Sequence, residues 1–250
     1  MSRYFVPCSR CVKNVAQQFR VENMVRINFA EELEISESSL LAGGRMVLEQ
    51  LRRVMQALEG RDPDLAQEVI ERDDRVDDVY LATETRVLSL LALQAPVAGD
   101  LRLVNAILHS NGHIERVGDL CVNIAKFVLN GLPYPSNSPM LTRLQEMGIR
   151  AGELLDTALR AFSTRDADLA EELPSKDNVL DRLNRGMLDE LKQYAGDEQS
   201  FEWAVNLVLV ARYLERIGDH AVDIGERTSY MVTGVMREFT DASHPENDLH

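Results

Sequence analysis

At 250 residues, 45% of them hydrophobic, the chain can bury a core as one large domain or as two of about 100 residues. It has no apolar run of the ~18–20 residues that a membrane helix needs and no signal peptide with an apolar middle, so it is expected in the cytoplasm. A formal charge of −14 excludes nucleic acid as the main partner, because phosphate contacts need clustered Lys and Arg. Three cysteines exclude a disulfide framework.

Val, Leu, Ala, Glu and Arg dominate and aromatics reach only 6%, a composition that points to an all-helical protein. Residues 1–23 are read as a disordered extension, or as a start assigned upstream of Met24, since they carry Arg3, Arg10, Lys13 and Arg20 and no acid before Glu22. Cys8 and Cys11 form a lone C-x-x-C without a second pair, so no zinc or redox site is assigned to them. The first helix is predicted from about Phe29 to Leu58, with Gly43-Gly44 as a weak point and Gly60 as its end. Asp62-Pro63 is a good start for the second, with Asp as cap and Pro in the first turn. That helix runs to about Leu93, before Pro96 and Gly99. Asp100 caps a third helix to about Leu129.

The segment from Gly131 to Pro139, with Pro133, Pro135 and Pro139, is a turn or linker that separates a first repeat, 24–132, from a second, 139–238. Residues 239–250 are expected to be a disordered tail. The fourth helix is predicted over Met140–Phe162, the fifth over Ala167–Tyr194 with a kink at Pro174, and the sixth over Phe201–Arg237.

The two parts repeat one another. Ile114-Glu115-Arg116-Val117-Gly118-Asp119 returns as Leu214-Glu215-Arg216-Ile217-Gly218-Asp219. Arg61-Asp62-Pro63-Asp64-Leu65-Ala66 returns as Arg165-Asp166-Ala167-Asp168-Leu169-Ala170. A tandem duplication of three-helix units follows, packed as two antiparallel three-helix bundles.

Both motif copies stack a Glu and an Asp one turn apart, an arrangement that costs an isolated helix roughly 0.2–0.5 kcal/mol per pair. A second acidic pair stands in each preceding helix, Asp73 and Asp77 in the first half and Asp177 and Asp181 in the second. Four carboxylates per half define a hard-oxygen site suited to Mg²⁺, Mn²⁺, Ca²⁺ or iron, with Zn²⁺ also considered. Helical projection puts Ile114, Val117, Cys121 and Ile124 opposite Glu115, Asp119 and Asn123, and Leu214, Ile217, Ala221 and Ile224 opposite Glu215, Asp219, Asp223 and Glu226. The site is therefore expected in an outer groove, although Asp73 and Asp77 project among Val69, Ile70, Val76 and Tyr80, nearer a packed face. His113 and His220 each occur in only one half and are read as incidental.

Two repeats, each with an Asp-x-x-x-Asp helix followed by a Glu-Arg-(Ile/Val)-Gly-Asp helix, and Asp100-Leu101-Arg102 opening the first of these, resemble the PhoU family of bacterial phosphate-signalling proteins. The resemblance covers about Met24 to Arg237. It implies a non-enzymatic negative regulator linking a phosphate ABC transporter ATPase to a membrane sensor histidine kinase, peripheral to the membrane through those partners and expected as a homodimer. It also implies metal clusters held by Asp73, Asp77, Glu115, Asp119, Asp177, Asp181, Glu215 and Asp219. One departure is that Ser200-Phe201-Glu202 stands where the first half has Asp-Leu-Arg. Two other readings compete: a multinuclear metal enzyme, disfavoured because no base or nucleophile stands apart from the proposed ligands, and a metal-free helical scaffold.

Overall fold

In the computed structural model the described residues are 9–130 and 138–239, with side chains described from residue 29 onward. The chain forms α1 (Ser9–Gly60), α2 (Pro63–Gln94), α3 (Ala98–Leu129), α4 (Pro139–Thr164), α5 (Ala167–Glu171), α6 (Leu173–Leu191), a 3-10 turn (Lys192–Tyr194) and α7 (Glu198–Thr233). Cys8 and the side chain of Cys11, most of the proline-rich linker and nearly all of the expected C-terminal tail lie outside the described residues.

Local chemistry explains most of these boundaries. Asp62 caps α2 by accepting from the Leu65 N–H at 3.0 Å, and Pro63 follows in the first turn. Asp166 does the same for α5, accepting from Leu169 N–H at 2.9 Å. Gly234, at φ 75°, ends α7 in a left-handed cap whose N–H donates to Tyr230 O, four residues before the expected end.

Three expectations are corrected. Helix α1 begins at Ser9 rather than near Phe29, and it runs unbroken through Gly43-Gly44. A Cβ at Gly44 would collide with the Leu159 side chain, so this glycine admits α4 rather than weakening α1. The predicted kink at Pro174 is a break at Glu172 that divides one helix into α5 and α6. Pro174 has no N–H to give to the Ala170 carbonyl, so the ladder stops there. Its counterpart in the first half is Ile70, and α2 continues.

Helices α1, α2 and α3 pack as one three-helix bundle, and α4, α6 and α7 as the other. The bundles meet through α3 against α7 and α1 against α4, and one continuous apolar core joins them. It includes Val47, Val54, Ile107 and Ile124 from the first half and Leu144, Leu155, Phe162 and Trp203 from the second. Helices α3 and α7 run antiparallel, since His113 meets His220 while Arg102 Nε donates to Met231 O at 3.2 Å. Arg102 thereby satisfies a carbonyl in the last turn of α7. Arg165 adds a second tie between halves, to Glu37 at 2.6 Å.

Candidate functional site

Each half brings its four predicted carboxylates to the groove between two neighbouring helices, α2 and α3 in the first, α6 and α7 in the second. The glycine of the repeated motif permits this. A Cβ at Gly118 would stand 2.8 Å from Asp73 Oδ1, and one at Gly218 would overlap Asp177 Oδ1 and come within 2.6 Å of Leu180 Cδ2. The absence of a side chain at this position lets an aspartate from the facing helix lie against the backbone. That role was not read from the sequence, although the Gly sits inside the motif itself.

The halves differ in burial. In the first, Asp77 and Asp119 are exposed and Asp73 and Glu115 half-buried, as an outer groove would have it. In the second, Asp177, Asp181 and Glu215 are buried, at 1%, 5% and 6% exposure, and the expectation of an outer groove fails there. The residue facing the motif glycine also differs. Gln50 faces Gly118 and donates from Nε2 to Asp73 Oδ1 at 3.0 Å, whereas the residue facing Gly218 at the equivalent place is Leu154, which has no donor.

The electrostatics follow. Burial raises the Asp73 carboxyl, offset in part by the Gln50 hydrogen bond and reinforced by Asp77 and Asp119. Glu115 is raised by burial and by Asp119, Asp77 and Asp73. In the second half burial, with Asp219 and Asp181 adding, pushes Glu215 up to about 7 against the opposing charge of Arg212. Burial also raises Asp219. Arg212 pairs with Glu215, and Arg185 lies 3.9 Å from Asp181. Both are exposed partners on the same helix as their acid, a kind of pair worth little. Glu215 Oε2 is buried and accepts no hydrogen bond. An all-oxygen set with a buried acceptor of this kind fits a hard cation, held by Asp73, Asp77, Glu115 and Asp119 in one half and by Asp177, Asp181, Glu215 and Asp219 in the other. Such an ion relieves the mutual repulsion of these carboxylates.

The histidines are not isolated, contrary to the sequence reading. His113 Nδ1 lies 3.2 Å from His220 Nδ1, and Asp223 Oδ2 lies 3.3 Å from the first and 3.6 Å from the second. This is the one group of three such side chains, among the described residues, whose ligand atoms all fall within 4.8 Å of one another. The acidic sets are more open. Burial takes His113 down to about 4. Burial also pushes Asp223 up, but the His220 hydrogen bond and the charges of His113, His220 and Arg227 outweigh it and hold the carboxyl below the usual range. Helical register alone cannot bring residues from separate repeats together, so no motif signalled the trio. Cys121 is a core residue, as its place on the apolar line suggested.

Fold and site together define a class: a tandem repeat of three-helix bundles, without strands among the described residues, that presents a paired-carboxylate face in each repeat. The PhoU domain family is matched at residues 40–128 and again at 144–228. The chain belongs to the PhoU family. It is 32% identical over 222 residues to the phosphate-specific transport system accessory protein PhoU homolog of Clostridium acetobutylicum, covering 87% of this chain and 100% of that one. Crystal structures of PhoU from Pseudomonas aeruginosa and of the phosphate transport system regulatory protein PhoU from Streptococcus pneumoniae superpose with a TM-score of 0.77 each. They do so at 33% and 30% identity, over 83% and 84% of this chain and 100% of theirs.

Proposed function

We propose that this chain is a negative regulator of phosphate uptake and of phosphate-starvation signalling. It acts at the cytoplasmic face as a homodimeric, non-catalytic adaptor between a phosphate ABC transporter ATPase and a membrane sensor histidine kinase. The observation that carries this reading is the family match over both repeats, to relatives named for phosphate transport. The duplicated acidic faces supply the mechanism. With metal bound at the eight carboxylates, their repulsion is relieved, and a cation at a hundred times its dissociation constant contributes about 2.7 kcal/mol of stability. The remaining negative surface suits basic partner surfaces, and such docking weakens with salt. No helix among the described residues is long and apolar enough to cross a membrane.

Deleting the gene and assaying alkaline phosphatase in phosphate-rich medium tests this. Constitutive expression is expected, restored to silence by the intact chain and not by the Asp119→Asn, Asp219→Asn form. A reporter that stays silent in the deletion strain would refute the regulatory role.

A further inference from the structure

The His113, His220 and Asp223 cluster lies at the seam between the repeats and takes a member from each half: His113 from α3, His220 and Asp223 from α7. We infer that this trio is a binding site for one Zn²⁺-class divalent transition-metal ion, ligated by both Nδ1 atoms and Asp223 Oδ2 and bridging the two repeats. The trio shares no ligand with the eight carboxylates discussed above, although Asp219 adjoins His220 and lines the same cavity as Asp223.

Geometry makes the case. Two ring nitrogens and a carboxylate oxygen form a triangle with edges of 3.2, 3.3 and 3.6 Å. Tetrahedral coordination at bonds of about 2.0–2.1 Å requires ligand-to-ligand edges of about 3.3–3.4 Å. One face of such a tetrahedron is therefore already assembled. Hydrogen bonding accounts for the same triangle less completely: each neutral imidazole has at most one Nδ1 proton, and each proton serves one edge, so at most two of three edges are satisfied. A cation above the face satisfies all three.

The surroundings agree with this. Nitrogen donors select Zn²⁺, Ni²⁺, Cu²⁺ or Fe²⁺ over the harder ions that carboxylates prefer. His220 is 7% exposed and its Nε2 is buried without a hydrogen bond, so the polar contacts of this ring all run through Nδ1. Asp223 lines a cavity of about 340 Å³ together with Asp219, Glu226, Arg227, Glu238 and Phe239, so the carboxylate end of the trio is reachable from it. Arg227 offsets part of the charge of the four acids there, Asp219, Asp223, Glu226 and Glu238. The site also occurs once only. At the repeat-equivalent positions the sequence has Tyr213, Leu120 and Asn123, which offer no comparable donor set, so the trio is not a by-product of the duplication.

Metal-free full-length chain is titrated with Co²⁺ and followed by visible absorption, and separately with Zn²⁺ by calorimetry. An intense band of tetrahedral, nitrogen-ligated Co²⁺ at one equivalent is expected, with Zn²⁺ displacing it and raising the melting temperature by tying the halves together. His113→Gln and His220→Gln should each abolish the band and weaken Zn²⁺ binding at least about a hundredfold, since loss of supporting groups alone costs 10–100-fold. Asp77→Asn with Asp119→Asn, which removes carboxylates of the other candidate site, should leave the nitrogen-ligated Co²⁺ band intact. ¹⁵N shifts of the two Nδ1 atoms in the wild-type chain on adding Zn²⁺ need no variant. The idea is overturned if Co²⁺ gives only the weak spectrum of oxygen ligation, if the Nδ1 resonances do not move, or if folded histidine variants bind Zn²⁺ as the parent does. In each case the trio is a hydrogen-bonded contact and nothing more.

Discussion

Gly118 and Gly218 hold the same place in the two motif copies, yet an added methyl group would meet different surroundings. Replacing a helical Gly by Ala gains about 1 kcal/mol of helix propensity, and overpacking costs about 1–3 kcal/mol. At Gly118 the obstacle is Asp73 Oδ1 at 2.8 Å, the end of a half-buried side chain that can swing away, so Gly118→Ala is expected to be nearly neutral. At Gly218 the methyl overlaps Asp177 and reaches Leu180, both buried. Gly218→Ala should therefore destabilise the chain, by up to about 2 kcal/mol net. Urea denaturation midpoints of the two variants compare them directly, and equal midpoints would contradict the proposed difference in packing.

At the scale of elements, the duplication preserves a junction as well as a motif. Arg61 and Arg165 both adopt left-handed backbone, at φ 52° and 57°. Just after them, the Asp62 N–H donates to Ala57 O and the Asp166 N–H to Ala161 O, both at 3.0 Å. Each aspartate thus closes one helix with its N–H and caps the next with its carboxylate. Asp62→Ala and Asp166→Ala should each cost about 1 kcal/mol. Their local effects should differ, because α2 has 32 residues and α5 only five. Hydrogen exchange should show α5 amides losing protection in Asp166→Ala, with α2 fraying only in its first turn in Asp62→Ala.

Across the whole molecule, the second half holds the more tightly buried set of charges, and this sets a pH dependence. Glu215 is pushed from 4.5 to about 7, mainly by burial and then by Asp219. Between those values the folded chain retains a proton that the unfolded chain has released. The associated stability is fully present below about pH 4.5 and is lost as pH rises to about 7, on the order of 3 kcal/mol. Asp73, Asp77, Glu115 and Asp219 are also raised, with burial first in each case, and act in the same direction. Asp189, Asp197 and Asp223 are lowered and act oppositely on the acid side. His113, taken down to about 4 by burial, and His109, also lowered, act oppositely up to about pH 6.5, because the unfolded imidazoles bind protons that the folded ones do not. The Glu215 contribution is therefore isolated by comparison with Glu215→Gln: between pH 5 and pH 8 the chelator-treated parent should lose melting temperature relative to that variant. Mn²⁺ should raise the melting temperature of the parent at pH 8. An equal change from pH 5 to pH 8 in parent and Glu215→Gln would contradict the assignment.

The sequence by itself determined what depends on near neighbours along the chain. Asp62-Pro63 starts a helix because the capping carboxylate and the missing N–H act within one turn. The apolar lines Ile114, Val117, Cys121, Ile124 and Leu214, Ile217, Ala221, Ile224 are buried because a 3.6-residue period sets which side chains share a face. The eight carboxylates stood out because duplication repeats spacing. Tertiary structure alone decided what lies across helices. It set Gln50 against Gly118 and Leu154 against Gly218, and it left one acidic set half-open and the other buried. It also ran α3 antiparallel to α7, so that His113 meets His220 and Asp223, residues that occupy unrelated positions in their repeats. Burial and charge compensation depend on the packing partner, and the partner is chosen by the whole fold.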